Sequence, residues 1–484
     1  MKLNPMRLAA ALLGLINSTG LFAQSGQVPG RASAPGIAIS DRDRVYLSDQ
    51  TSNTVSVVNP QTNMLLGLIK LGEPTPANLS PLYTGQLLVH GMGLSPDHRT
   101  LVVVSVGSNS AAFIETATNR VKHVVYLGRS PHEAMFTPTG REVWITVRGE
   151  NYVQVLDGQT YAPKLRITVP NGPGMTIFSP DGKYGYICSS FSSETVVVDV
   201  RTHHIVGRVP QASSFCPDIA ATPDGAQVWL TLKDIGKTEV FNARPPFNRI
   251  ALLNTGAITN HVNIVRNASG QFAYVTVGGM NAVKVFTTTS DPQFVTTIPT
   301  GALPHGLWPS GDGTHIYVGL ENANAVAVID TKTNSVIATV NTGQSPQGMV
   351  YIPRAVPTGT GTDNLIPLGR AQEAAHLTLG ARGATAVLTT VSINNQGLVD
   401  VLEAAVTGLE PKSMYVLALS EKADGSGPLE AIAQFAANPA GAAIVTAIGP
   451  LRKAVEQGTP APRRYLVIAT IQNGTIGGAV QIQQ

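Results

Sequence analysis

HIYVGLENANAVAVIDTKTNSVIATVNTGQSPQGMVYIP, residues 315–353, decides the fold. IYVGL at 316–320 is followed by a polar Glu-Asn-Ala-Asn loop, AVAVID at 325–330 by TKTN, and SVIATV at 335–340 by NTGQSP; GMVYI at 348–352 starts the next unit. The runs are rich in Val, Ile and Tyr, and the gaps in Asn, Gly, Thr and Pro. That is strand and turn chemistry without helical periodicity. Four short antiparallel strands form a sheet with two open edges and two faces it cannot bury alone, so it must stack on copies of itself.

The copies are present. FAYVTVGGMNAVKVF at 272–286, EVWITVRGENYVQVLD at 142–157 and RVYLSDQTSNTVSVVN at 44–59 repeat the first two strands and their loop. The unit recurs about every 42 residues, the spacing of four-stranded propeller blades. Second-strand cores begin at Val45, Leu101, Val143, Tyr184, Val228, Ala273 and Ile316, which predicts seven blades over residues 35–353. Most inner strands end in a Ser-Pro-Asp-Gly-like turn, suited to a tight hairpin. GMVYIP at 348–353 is an extra inner strand that would close the ring on the first blade, with GIAIS at 36–40 competing for that place. These segments resemble the YVTN β-propeller repeat of bacterial surface-layer and periplasmic proteins. The resemblance implies the scaffold and leaves the activity open, because one fold hosts many functions.

The chain has 484 residues, 43% hydrophobic and 13% charged, with 48 Gly and 33 Pro. The formal net charge is +3, of which Lys2 and Arg7 belong to the N-terminal segment. So small a balance gives no reason to expect a nucleic-acid partner. Residues 1–23 read as a secretory signal peptide: a basic start, a short apolar run at 8–16 and a small residue, Ala23, for cleavage. A periplasmic or extracellular location is expected, with no membrane span after the leader is removed. The exported compartment permits a bond between the two cysteines, Cys188 and Cys216, which fall on one face of neighbouring blades. A Pro-rich insertion occupies 73–86, and a Pro/Gly/Thr-rich linker 354–370. From 371 to 484 the blade period disappears. Runs such as MYVLALS and RYLVIATI predict a β-sandwich of immunoglobulin-like type, with a helix expected at 428–437 or 451–457. The fold class is therefore all-β, a seven-bladed β-propeller followed by a β-sandwich.

Inner strands line a propeller's channel, and their first residues share a face with the loops between second and third strands. Aligned on the turns, His90, His132 and His305 coincide; His261 joins them through a one-residue bulge, and Gln347 holds the place in the closing strand. Clustered imidazoles suit metal ligation or proton transfer, and equally suit hydrogen bonding between blades. The loops add Arg148, Glu150, Lys233 and Asp234, with Asp49, Asn53, Asn281, Glu321 and Asn322. They read either as solvated charges or as the polar wall of a small-molecule pocket. Asn263 lies in an unusually polar inner strand. There is no G-x-S-x-G, no H-E-x-x-H and no phosphate-binding glycine loop, and the cofactor is left unknown. Trp144 and Trp229 recur at equivalent positions and read as packing residues. The expectation is an exported propeller that binds a small ligand or a partner's loop at its channel face. Two alternatives follow from similarity to other propellers: a hydrolase like the bacterial lactonases, or a haem- or metal-binding protein like the nitrite-reductase propellers. The chain lacks the C-x-x-C-H motif of covalent haem attachment.

Overall fold

The structure, a computed structural model, describes residues 37–72, 87–456 and 462–484. The expected leader at 1–23 and the insertion at 73–86 lie outside the described residues. Seven sheets, six of four strands and one of five, form a propeller, and an eighth sheet forms the C-terminal domain. Blades 2 to 7 span 89–126, 131–168, 173–210, 219–254, 259–299 and 304–341 in chain order. Blade 1 draws on both ends of the propeller sequence. Pro346–Ile352 supplies its inner strand and pairs with Arg44–Asp49, while Thr54–Asn59 and Met64–Lys70 complete it. Residues 37–40 form no strand. Joining both ends in one sheet closes the ring and leaves no blade face wet.

The turn chemistry repeats from blade to blade. Ser95, Ser179 and Ser310 each donate their hydroxyl to the Asp two residues on, at 2.5, 2.6 and 2.6 Å, and Thr222 does the same to Asp224 at 2.6 Å. The residue after each Asp turns into the left-handed region; it is Gly182, Gly225 or Gly313, and in blade 2 it is His98 at φ 65°. At the other face, Asn53, Asn109, Asn281 and Asn324 take the same conformation in the loops between second and third strands.

Apolar side chains interlock between blades. Trp144 and Trp229 are fully buried. Each indole N–H finds an acceptor two residues back on its own strand, Glu142 at 3.0 Å and Gln227 at 2.9 Å. Cys188, in the second strand of blade 4, is bonded to Cys216, which precedes the inner strand of blade 5; their Cα atoms are 6.1 Å apart.

The segment 354–370 lies against the propeller. Ala355 and Val356 are buried in the core shared by blades 1, 2 and 7. Asn119 donates to the carbonyls of Gly361 and Asp363, both at 3.0 Å. Leu365–Ile366 adds a short fifth strand to blade 1. The β-sandwich domain that follows is one nearly closed sheet of eight strands. It wraps a core that includes Leu379, Val391, Leu402, Leu417, Leu466 and Ile468. Leu451–Val455 is a short helix, as one of the two expected positions has it. The other, Leu429–Ala436, is a strand paired with Met414–Ser420. There, pairing with an existing strand outweighs the helix propensity of Leu, Glu and Ala.

Candidate functional site at the channel mouth

The same irregularity opens the inner strand at each histidine. In blade 2, Val89 pairs with Ser105 but Met92 with Val103, so His90 and Gly91 together oppose one residue. The same bulge holds His132 and Glu133 in blade 3, Asn260 and His261 in blade 6, His305 and Gly306 in blade 7, and Gln347 and Gly348 in blade 1. A bulge bends the strand and re-aims the side chains at that point, here toward the channel mouth. The one-residue offset of His261 is thus explained differently from the sequence expectation. Asn260 holds the register of the other histidines, and His261 takes the second bulge position. That second position is glycine in three of these strands because the next blade passes so close. A Cβ on Gly306 would lie 2.1 Å from the Gln347 carbonyl oxygen.

The bulges and loops surround a cavity of about 460 Å³, within the range of small-ligand sites. Its propeller wall includes Gln50, His90, His132, Arg148, Phe215, Lys233, Asp234, His261, His305, Glu321 and Gln347. Its roof is the C-terminal domain, which contributes Glu403, Ala436, Asn438 and the hairpin residues Ala442, Ala443 and Ile444.

One wall is a directed chain of hydrogen bonds. His132 Nδ1 lies 2.9 Å from the Gly174 carbonyl, which only accepts, so this nitrogen carries the proton. His132 Nε2 is then the acceptor for His90 Nε2–H at 2.9 Å. His90 Nδ1 accepts in turn from the Gln50 amide at 3.3 Å. The Gln347 amide donates both to Gln50 Oε1, at 2.8 Å, and to Glu321 Oε1. Both imidazoles are neutral in this scheme. Burial, first of all, holds His90 and His132 well below the usual imidazole range, and the nearby Arg148 acts in the same direction.

The opposite wall carries the acid–base groups. His305 borders the cavity, and its Nδ1 is 2.9 Å from Glu321 Oε2, close enough for an ion pair but without hydrogen-bond geometry, so this buried nitrogen has no hydrogen-bond partner. Burial keeps His305 well below its ordinary pKa, so the ring is unprotonated at neutral pH. His261 meets His305 edge-on at a centroid distance of 4.8 Å. Its Nδ1 is 3.6 Å from Asp218 Oδ2, too long for a hydrogen bond. Burial pushes Asp218 up to about 8. Arg148 and Lys233 form no ion pair among the described residues. Burial lowers both; Lys233 is partly offset by Glu321 and Glu403, whereas no carboxylate offsets Arg148.

The cap is held by polar contacts from the propeller loops. Asn322 donates to the Thr390 carbonyl at 3.0 Å and accepts from Ser392 at 3.0 Å. Asn324 donates to Asn394 at 2.8 Å, and the Ala440 N–H reaches the Asp234 carbonyl at 3.1 Å. Ile258 and Leu303 of the propeller pack against Ala405 and Ala442 of the cap.

The cavity therefore brings together His90, His132, His261, His305, Arg148, Lys233, Asp234 and Gln347. Two residues expected with them stand elsewhere. Glu150 turns outward and accepts from the Arg129 backbone N–H at 2.9 Å. Asn263 lies deeper in the channel and donates across the blade boundary to the Leu307 carbonyl at 3.1 Å. It borders a smaller void of about 30 Å³ with Glu133, Asp218 and Met92. Gln50, Phe215 and Glu403 carry no repeat signal that would single them out. Asp234 and Lys233 differ from the Asn/Gly pattern of their loop, and that difference marks the site. Among the described residues, no group of three or more His, Cys, Asp or Glu is arranged to hold a metal ion.

Residues 127–351 match the family model described as lactonase, 7-bladed beta-propeller. No curated protein matches the chain. Among solved structures, the propeller fold is shared with Kuenenia stuttgartiensis hydrazine synthase at 17% identity and TM-score 0.52, covering 66% of this chain and 99% of that one. A functionally unknown protein from Desulfotomaculum acetoxidans DSM 771 matches at 16% identity and TM-score 0.54, covering 64% and 98%. The periplasmic gluconolactonase of Pseudomonas aeruginosa matches at 17% identity and TM-score 0.50, covering 64% and 99%. Nearly the whole of each of these chains is matched, while part of this chain has no counterpart in them.

Proposed function

We propose that the capped cavity binds a small polar lactone and opens its ring by hydrolysis. The observation that carries this reading is the His305–Glu321 pair, which presents an unprotonated imidazole nitrogen to an enclosed cavity that also holds two cations without ion-pair partners. The lactonase family match over residues 127–351 supports it. His305 Nε2 takes a proton from water as the water oxygen adds to the ring carbonyl. The Glu321 carboxylate, 2.9 Å from Nδ1, stabilises the imidazolium that forms. Arg148 and Lys233 stabilise the oxyanion. The ring C–O bond then breaks, and the proton held on His305 passes to the departing alkoxide, giving a hydroxy acid. The test is hydrolysis of glucono-δ-lactone and a panel of γ- and δ-lactones, against spontaneous ring opening. We expect turnover by the wild type and at least a hundredfold loss in His305→Ala. Wild-type rates no faster than the spontaneous reaction across the panel would overturn the reading.

A second reading, binding without turnover, is favoured by the engaged ring nitrogens of His90 and His132, which serve as a wall rather than as reagents. It predicts ligand-induced thermal stabilisation with no consumption of the ligand. In either reading we propose an exported protein cleaved after about Ala23. N-terminal sequencing of protein recovered from the periplasm or medium tests this, and a mature start at Met1 would contradict it.

A further inference from the structure

We propose that Gln347, in the strand that closes the ring, is a positioning residue of the site: its amide pins the Glu321 carboxylate beside His305. The consequence for catalysis rests on the hydrolytic reading, but the hydrogen bonds do not. Gln347 stands in Pro346–Ile352 and is 6% exposed. It occupies the bulge position that blades 2, 3 and 7 give to His90, His132 and His305. A neutral imidazole carries one N–H, whereas an amide nitrogen carries two. Gln347 uses both, one toward Gln50 Oε1 at 2.8 Å and one toward Glu321 Oε1. A neutral histidine at this register could not make both bonds.

The amide is itself held from the far side. The Gln50 amide donates to His90, His90 to His132, and His132 to the Gly174 carbonyl. Hydrogen bonds thus run without a break from the backbone of blade 4 through blades 3, 2 and 1 to Glu321, which follows the blade 7 strand His315–Leu320. The Glu321 backbone is fixed as well, its N–H donating to the Leu303 carbonyl at 3.0 Å. Only the side-chain torsions are left, and the Gln347 bond to Oε1 fixes those. Oε2 then lies 2.9 Å from His305 Nδ1.

The bond matters because His305 is not the only neighbour the carboxylate could take. Lys233 lines the same cavity. Burial raises Glu321, while Lys233 and the Gln347 amide favour its ionised form. An unrestrained carboxylate would turn to the ammonium and leave the imidazole. Held at Oε1, it stays where an imidazolium forms in the proposed reaction. Closing the ring therefore does more than cover the blade faces: it delivers the residue that orders the site.

The experiment compares full-length wild type, Gln347→Met and Gln347→Glu. One measurement is kcat and KM, from pH 5 to 8, on whichever lactone the panel identifies. The other is a crystal structure of each protein at pH 8 without ligand. Methionine fills a similar space and donates nothing. We expect Gln347→Met to lose tenfold or more in kcat at every pH, with KM within about threefold. Protonated, the new carboxyl of Gln347→Glu can donate to Glu321; ionised, it cannot, and it repels its neighbour. The other ionisable groups of the cavity, His90, His132, His261, Arg148, Asp234 and Glu403, are common to all three proteins. We therefore expect kcat of Gln347→Glu within about threefold of wild type at pH 5, falling tenfold or more behind it by pH 8. In both variant structures the Glu321 carboxylate should stand more than about 4 Å from His305 Nδ1. Wild-type kcat in Gln347→Met would overturn the proposal, as would a loss confined to KM, which would make Gln347 a ligand contact instead. A deficit in Gln347→Glu that does not change with pH would also overturn it. If no lactone is turned over, the hydrolytic reading fails and the structures decide alone: Glu321 unmoved in both variants removes the positioning role, and Glu321 displaced retains it.

Discussion

His132 and His305 occupy equivalent bulges in blades 3 and 7 but are wired differently. His132 uses both ring nitrogens, one on the Gly174 carbonyl and one on His90. His305 Nδ1 makes no such hydrogen bond and has only an ion-pair contact, at 2.9 Å, with Glu321. The same residue in the same register is a structural bridge in one blade and an available base in the other. Removing His132 leaves the buried His90 Nε2–H without an acceptor, at a cost of ~1–3 kcal/mol. Removing His305 leaves Glu321 still bonded by Gln347. Thermal melts of the two alanine variants should therefore show the larger fall for His132→Ala, while turnover is lost in His305→Ala. A larger fall for His305→Ala would assign the bridging role to it instead.

Among the elements, the loops between second and third strands carry the most meaning. Their repeated Asn residues satisfy left-handed turns, and in blade 7 one of these, Asn324, also docks the cap, together with Asn322. The boundary between blades 4 and 5 is held covalently. The Cys188–Cys216 bond spans 28 residues of sequence, and closing a loop of that length in the unfolded chain is worth ~3–4 kcal/mol in the chain-entropy account. Phe215, next to Cys216, lines the cavity, so the bond also anchors one wall of the site. Reduction, or a Cys188→Ser/Cys216→Ser double variant, should lower the thermal midpoint by several degrees. An unchanged midpoint after verified reduction would show that the bond contributes nothing to stability.

For the molecule as a whole, the buried carboxyls set the response to pH. Burial pushes Asp49 and Asp218 each up to about 8, and Glu133 and Glu403 are raised as well. A carboxyl that is neutral in the fold and ionised in the unfolded chain favours unfolding as pH rises. Its contribution is fully present below the unfolded value near 4 and is lost progressively up to the folded value. Each such group steepens the decline by at most ~1.4 kcal/mol per pH unit between those limits. The buried histidines His90, His132, His261 and His305, held well below their ordinary value, act in the opposite sense up to about pH 6.5, so the carboxyls alone decide above it and stability should decrease from about pH 7 to pH 8. Asp49→Asn should flatten that decline, since the neutral amide oxygen still accepts from Thr54 or Ser56. Chemical denaturation of both proteins at several pH values checks this. Equal slopes would mean that Asp49 is ionised in the folded protein.

The sequence alone determined the propeller. Strand runs, Asp-Gly turns and a repeat near 42 residues are local signals, and a sheet that cannot bury its own faces leaves few other solutions. It also placed His90, His132, His305, Arg148 and Lys233 on one face, because residues at one register of a blade converge. Only the tertiary structure decided how Pro346–Ile352 closes the ring, since strand pairing between distant segments leaves no local trace. It likewise turned Glu150 outward and sent Asn263 into the channel, because a bulge or a loop changes side-chain direction without changing the residue pattern. Above all, Glu403 lies 82 positions beyond Glu321 in a domain with a different period. That both line the same cavity depends on how the two domains dock, a long-range packing result that no spacing in the chain encodes.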